Sequence, residues 1–346
     1  MMTSGRTLVS VALSGLALLG CDSTSPAVAT HLTFEGQPSA SVVSTQPLGN
    51  VRVTILSADG EVVTGTTYRV SISLSAADAA AHLAGTTTVE TTTGVATFPD
   101  LAVGRAGTDF RLVASVTGLE SAVSHPFSIV PGPAAQLHFD PFVHFPILVA
   151  ADIPAVVRIT DAGGNPVADA TNPVTLGYTR TGQFGMTVAE DGLFGPATQT
   201  AVNGVATFTG LTFHKSGGYT LSATSPGLAG GTSDPLTIQA AAMTRLIFVT
   251  QPSDGTAGAA LAAFSVQQVD DYGNGLSLPP GPSYGATLSL GNNPTGATLR
   301  GTLTVSSLGV TALTFNDISL DKPGTGFTLV ATSGNRTITS APFSIR

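Results

Sequence analysis

One short string in this 346-residue sequence has the spacing of a serine nucleophile. Gly281, Ser283 and Gly285 form the pattern G-x-S-x-G, which in hydrolases places the serine hydroxyl on a sharp turn between a strand and a helix. Three prolines crowd this string, and residues 286–290 (ATLSL) alternate like a strand rather than a helix. The surroundings therefore favour a proline-rich loop. We expect no catalytic residues and no enzymatic activity.

Two further groups of residues could hold a metal ion. His138, Asp140 and His144 lie close together, but their spacing differs from known zinc sites. Acidic turns recur at Asp59, at Asp161 and at the pair 270–271, and clustered carboxylates could bind calcium. The first two turns offer one carboxylate each, so turn formation is the favoured interpretation. We expect no metal site and no cofactor.

Composition excludes some classes of partner. The net charge of −8 and the pI near 5.0 argue against nucleic acid, whose phosphates need cationic neutralisation. Lysine occurs only at positions 215 and 322, so there is no polybasic membrane patch. The chain has no tryptophan, and its five tyrosines are scattered, which disfavours a lectin-like module built on aromatic platforms.

The N-terminal segment predicts export and anchoring. Residues 7–19 are an apolar run behind Arg6, too short for the roughly 20 residues that span a bilayer but typical of a signal-peptide core. Leu18, Leu19, Gly20 and Cys21 then resemble the lipobox of bacterial lipoproteins, although Leu19 is bulkier than usual. The resemblance implies a signal peptide at 1–20, a lipidated Cys21 and a flexible tether at 21–30. The membrane would then be contacted through the lipid.

Five features recur in the same order three times along the rest of the chain. They are an opening strand, a strand that ends in an acidic turn, a Leu-x-Gly step, a Phe-x-x-Leu/Ile step and a closing pair of strands. The fourth feature, for example, begins at Phe98, Phe208 and Phe315. Units of this size with short alternating strands and frequent turns predict an all-β fold of three tandem immunoglobulin-like (Ig-like) β-sandwiches, at 31–130, 136–238 and 245–346.

Each unit resembles the bacterial Ig-like domains of the invasin/intimin (Big-1) group. The third unit carries the resemblance best, with FVTQPS at 248–253 and DYGN at 271–274, and the first keeps FEGQPS at 34–39. The second departs from the pattern at 139–148. The resemblance implies an Ig-like fold and a surface-exposed adhesive or spacer role, without catalytic residues.

The irregular parts of the second unit offer a candidate partner surface. Phe142 and Phe145 lie outside clean alternation, and Phe184 and Phe194 lie in a long insertion. Apolar clusters of this kind either mark interfaces or complete the unit's own core.

Together these features predict a non-enzymatic, lipid-anchored lipoprotein of the bacterial cell envelope, at the outer membrane or cell surface rather than the inner membrane. Its Ig-like domains would act as an adhesion module or a structural stalk. The alternative is a binding or assembly subunit of an envelope complex, one that engages an envelope or extracellular protein or a glycan such as polysaccharide.

Overall fold

A computed structural model describes residues 27–142, 147–181, 192–275, 284–307 and 312–346. Within these ranges every regular element is a β-strand, which confirms the all-β prediction. No helix in the described part is long and apolar enough to cross a membrane.

The first group of strands forms a three-stranded sheet, β1-β3-β7, facing a larger sheet, β2-β11-β9-β4-β6, with β10 on β9 and a separate β5-β8 pair. We call these strands, together with the buried apolar residues between positions 29 and 129 that they enclose, the first sandwich. Its strands are β1 Ala29–Gly36, β2 Ser41–Val43, β3 Val51–Ser57, β4 Tyr68–Ser75, β5 Leu83–Ala84, β6 Thr88–Thr91, β7 Val95–Phe98, β8 Ala102–Val103, β9 Gly107–Ser115, β10 Ala122–Val123 and β11 Phe127–Val130.

The second sandwich repeats this topology around its own core. Its sheets are β12-β14-β17 and β13-β20-β18-β15-β16, with β19 on β18. Its strands are β12 Gln136–Phe139, β13 Ile147–Leu148, β14 Ala155–Thr160, β15 Pro173–Thr181, β16 Thr198–Thr200, β17 Val205–Phe208, β18 Gly217–Thr224, β19 Gly231–Thr232 and β20 Leu236–Gln239.

The third sandwich encloses the third core cluster. Its sheets are β21-β22-β26 and β25-β23-β29-β30, with the pairs β24-β27 and β28-β31. Its strands are β21 Arg245–Thr250, β22 Phe264–Val269, β23 Tyr284–Leu290, β24 Leu299–Arg300, β25 Thr304–Ser307, β26 Ala312–Phe315, β27 Ser319–Leu320, β28 Gly324–Phe327, β29 Leu329–Ser333, β30 Arg336–Thr339 and β31 Phe343–Ile345.

Alternation of side chains explains why these segments form strands. In β9, Phe110, Leu112 and Ala114 are buried, while the residues between them are not. Successive side chains of a strand point to opposite faces, so one apolar set fills the core between the sheets. The Phe-x-x-Leu/Ile residues are buried in all three sandwiches, and these aromatic and aliphatic cores stand in place of a disulfide and a tryptophan.

The recurring Leu-x-Gly step has a steric cause. Gly85, Gly195 and Gly301 have φ angles of 96°, 106° and 112°, a region that glycine adopts readily. A Cβ at Gly85 would lie 2.3 Å from the carbonyl oxygen of Asp100, and the other two glycines face a backbone carbonyl as closely. Only glycine fits where the chain passes this carbonyl.

Contacts divide the chain into two compact units. One holds the first sandwich, and the other holds the second and third together with the short segments 43–45 and 104–106. The boundaries at 31–130, 136–238 and 245–346 as three separate domains therefore stay a prediction.

Candidate functional site: the Asp–Asn turns and the aromatic cluster

Two five-residue turns, residues 161–165 after β14 and 270–274 after β22, share one backbone geometry. We call them the Asp–Asn turns. The amide of the aspartate donates to the carbonyl of the asparagine, over 2.9 Å in the first turn and 3.1 Å in the second. The glycine before each asparagine, Gly164 or Gly273, has a positive φ and closes the hairpin.

Each aspartate carboxylate is buried and accepts a full set of hydrogen bonds. Asp161 Oδ1 accepts the backbone N–H groups of Gly163 and Asn165 over 2.9 and 2.8 Å, and Asp270 Oδ1 accepts those of Tyr272 and Asn274, each over 2.9 Å. Both aspartates are 0% exposed. Burying a carboxylate is costly unless its oxygens are bonded, and here they are.

The second carboxylate oxygen binds the segment that precedes the sandwich. Asp161 Oδ2 accepts the backbone N–H of Gly132 over 2.7 Å, and Asp270 Oδ2 accepts that of Ala241 over 3.0 Å. The sequence separation is 29 residues in both cases. The two turns therefore hold equivalent positions of their connecting segments.

The asparagine side chain binds a second backbone segment. Asn274 Nδ2 donates to the carbonyl of His214 over 2.8 Å, and its Oδ1 accepts the N–H of Ser216 over 3.0 Å. Asn165 makes the same pair of bonds to Gly104 and Ala106, over 2.7 and 2.8 Å. A primary amide can form both bonds because it carries a donor and an acceptor side by side, as a peptide group does.

The first sandwich has a different turn. The amide of Ser57 donates to the carbonyl of Glu61, so Ser57 and Glu61 occupy the positions of the aspartate and the asparagine. Asp59 is exposed and lies two residues further on. Asp59 therefore lies in the corresponding turn, as predicted, but not at the position of Asp161 and Asp270, because hydrogen-bond register and not acidity defines the positions within the turn.

Hydrogen bonding also shifts the acidity of Asp161. Burial opposes ionisation, but hydrogen bonds from the Ser44 hydroxyl, the Asn165 side chain and the backbone of Gly132 and Asn165 outweigh it and lower the pKa to about 2. The Ser44 hydroxyl donates to Asp161 Oδ2 over 2.5 Å. The carboxylate is thus ionised at neutral pH, with its oxygens occupied by N–H and O–H donors. This bonding supports turn formation over calcium binding.

The structure gathers aromatic rings that are scattered in the sequence. The rings of Phe194 and His214 stack with centroids 4.1 Å apart, and His214 stacks on Tyr272 at 4.4 Å. The side-chain amine of Lys215 donates to the carbonyl of Tyr272. The stack therefore joins the second sandwich to the Asp–Asn turn of the third.

A second group of rings lies in the second sandwich. Phe213 stacks on Tyr219 with centroids 4.0 Å apart, and Tyr178 meets the edge of Phe213 at 5.3 Å. The Arg180 guanidinium lies 5.7 Å from the centre of the Tyr219 ring. Tyr178 and Tyr219 thus lie together in the second sandwich, with ring centroids 6.1 Å apart, a proximity that sequence spacing does not reveal.

The four residues of the predicted partner surface do not share one environment in the described structure. Phe194 is 42% exposed and forms the outer member of the ring stack. Phe142 is half-buried and packs against the core of the second sandwich, near Phe139. Phe145 and Phe184 lie outside the described residues, so the proposal of one shared surface is not tested.

Other sequence candidates also fall partly outside the described part. Cys21, His144 and Ser283 lie there, and strand β23 begins at Tyr284, directly after Ser283. His138 is exposed on β12, and Asp140 accepts two hydrogen bonds from Arg158, over 2.6 and 2.7 Å. Among the residues that the structure describes, no three His, Cys, Asp or Glu side chains are grouped as a metal site would need.

No known family model and no curated protein matches this sequence. Solved structures with a similar arrangement include extracellular domains 3–5 of Drosophila OTK, with 12% identity and a TM-score of 0.28 over 92% of this chain and 98% of that one. Invasin, a bacterial integrin-binding protein, shows 15% identity and a TM-score of 0.30 over 90% of this chain and 59% of its own.

Domains 5–6 of the S-layer protein SbsC show 14% identity and a TM-score of 0.21, over 62% of this chain and 98% of that one. At such identities a likeness concerns the fold alone. With TM-scores of 0.30 and below, these likenesses carry no argument, and the function has to be argued from the chain itself.

Proposed function

We propose that this protein is a non-enzymatic lipoprotein of the bacterial cell envelope. In this proposal Cys21 carries the lipid, the residues between Cys21 and β1 form a tether, which is shorter than the predicted 21–30 because β1 begins at Ala29, and the Ig-like sandwiches act as a structural stalk or adhesion module. The outer membrane or cell surface is the favoured location. No cofactor is needed for such a role.

The observation that carries the proposal is the repeated Asp–Asn turn. Its buried polar groups, Asp270 and Asn274 in the third sandwich, bind backbone of the preceding segment and loop rather than converging on an open cleft. These buried carboxylate and amide groups thus connect structural units. Connection of repeated units is what a stalk requires.

Capture of a partner tests the adhesive part of the proposal. The chain carrying Cys21→Ser, immobilised through its C-terminus, would be exposed to envelope proteins and glycans from the producing bacterium. A specific partner retained at physiological salt supports an adhesion module. Retention of none supports the stalk.

One observation favours the alternative of a glycan-binding or assembly subunit. Phe194 presents a ring that is 42% exposed at the end of a stack, and aromatic rings are platforms for apolar sugar faces. Phe194→Ala should then reduce capture of envelope glycan, whereas the half-buried Phe142→Leu should not. Equal capture by both variants would remove this alternative.

The absence of catalysis is tested separately at Ser283. A fluorophosphonate probe, which labels activated serines, should leave the purified chain unlabelled. Stoichiometric labelling that disappears in Ser283→Ala would overturn the non-enzymatic proposal.

A further inference from the structure

We infer that the Asp–Asn turn is a directional joint whose partner is a three-residue loop offering a free backbone carbonyl at its first position and a free N–H at its third. The joint seats the third sandwich on the second. The inference goes beyond the proposed function, because it concerns how the sandwiches are ordered and holds whatever the chain binds.

Asn274 contacts the loop formed by residues 214–216. This loop ends directly before Gly217, the first residue of β18. The equivalent loop contacted by Asn165 is residues 104–106, directly before Gly107 of β9. The two loops differ at every position, His-Lys-Ser against Gly-Arg-Ala. Asparagine therefore binds the backbone of both loops, although their side chains differ.

Such recognition tolerates every residue except proline at the third position. Proline has no N–H, so the asparagine Oδ1 would lose its donor and stay buried without one. The joint thus has a simple sequence rule that can be applied to the remaining loop of the same type.

The corresponding loop of the third sandwich does not satisfy this rule. It is formed by residues 321–323, between β27 and Gly324 of β28, and the third position is Pro323. Lys322 donates instead to the carbonyl of Gly296 within the third sandwich. This loop cannot complete the pair of bonds that Asn274 makes.

The corresponding turn of the first sandwich lacks the two residues that form the joint. Ser57 and Glu61 stand where the joint has aspartate and asparagine, and the exposed Glu61 carboxylate has no N–H to donate to a loop carbonyl. Among the described residues, the third sandwich thus has a turn that matches the loop 214–216 of the second, whereas its own loop 321–323 cannot accept such a turn, so the joint between these two sandwiches has one direction.

The inference is tested by placing a proline, the residue found at position 323, at the corresponding position of the loop 214–216. In the full chain carrying Cys21→Ser, spin labels at T207C on β17 and T314C on β26 would report the distance between the second and third sandwiches by double electron–electron resonance. Both positions are exposed, and the labelled cysteines would be the only thiols. The parent chain should give one narrow distance peak.

Ser216→Pro, which installs the residue of position 323, should lose this narrow peak, whereas Ser216→Ala keeps the N–H and should retain it. Asn274→Ala provides a second variant that does not depend on the fold tolerating proline, and it should also lose the peak. Pro323→Ser should change nothing. A narrow peak in both Ser216→Pro and Asn274→Ala, with native circular dichroism, or a broad one in the parent, would overturn the inference.

Discussion

Asn274 donates its side-chain N–H to the carbonyl of His214 over 2.8 Å, although the two residues are 60 positions apart in the sequence. The asparagine is 5% exposed, and the aspartate that orients it, Asp270, is 0% exposed. The carbonyl therefore has a buried partner that water cannot replace without cost. This contact links the loop 214–216 of the second sandwich to the Asp–Asn turn of the third.

Removing that amide should destabilise the chain. Asn274→Ala leaves the His214 carbonyl, the Ser216 N–H and Asp270 each short of a partner, and we expect a loss of about 1–3 kcal/mol in the free energy of unfolding. Urea denaturation followed by circular dichroism measures it. Glu61→Ala, at the equivalent but exposed position of the first sandwich, should stay within about 0.5 kcal/mol of the parent. Equal effects of the two substitutions would contradict the joint.

Acid should weaken the turn that contains Asp161. Its carboxyl pKa falls from the ordinary 3.8 to about 2 in the folded protein, so the folded state favours the ionised form. The resulting stability is complete above the ordinary pKa and is lost as the pH falls through the folded value. By linkage it amounts to at most about 2 kcal/mol.

The measurement is urea denaturation at pH 5 and at pH 2.5. Asp161→Asn removes the titrating group, so the drop in stability between these pH values should be smaller in this variant than in the parent. The same drop in both proteins would show that Asp161 does not control the acid response.

The Leu-x-Gly step should tolerate no Cβ. Gly60, which lies outside this step, serves as the control for backbone strain. Gly60→Ala places alanine at a φ of 82° with nothing within 4 Å of its Cβ, and it should lower the free energy of unfolding by about 1–2 kcal/mol through strain alone. Gly85→Ala has the same kind of strain plus a Cβ 2.3 Å from the Asp100 oxygen, which should add roughly 1–3 kcal/mol. Thermal unfolding of the two variants compares them directly. If Gly60→Ala were as damaging as Gly85→Ala, steric overlap would not explain the motif.

Sequence alone predicts the sandwich strands well because alternation in segments such as β9 directly records which face is buried. It locates the recurring turns but not the hydrogen-bond register within them. Asp59 is conspicuous as a carboxylate, whereas Ser57 holds the hydrogen-bond register that matches Asp161. A shift of two residues is invisible to composition, since turns are defined by backbone pairing.

The aromatic cluster shows a second limit of sequence reasoning. Tyr178 and Tyr219 come together because β15 and β18 are neighbours in the sheet, whereas Tyr272 reaches His214 through the Asp–Asn turn of the third sandwich. The joint itself carries a sequence signal, aspartate and asparagine four residues apart after a strand in two repeats but not in the first. Comparing the repeats position by position, rather than by charge, reveals it.

Lipid attachment at Cys21 tests the central claim most directly. Cells expressing the parent chain or Cys21→Ser would be grown with a fatty-acid analogue and separated into membrane and soluble fractions. The parent should carry the analogue and sediment with membranes, whereas Cys21→Ser should be unlabelled and soluble. Equal labelling of both chains, or a parent chain that is unlabelled and soluble, would contradict the account of an anchored envelope lipoprotein.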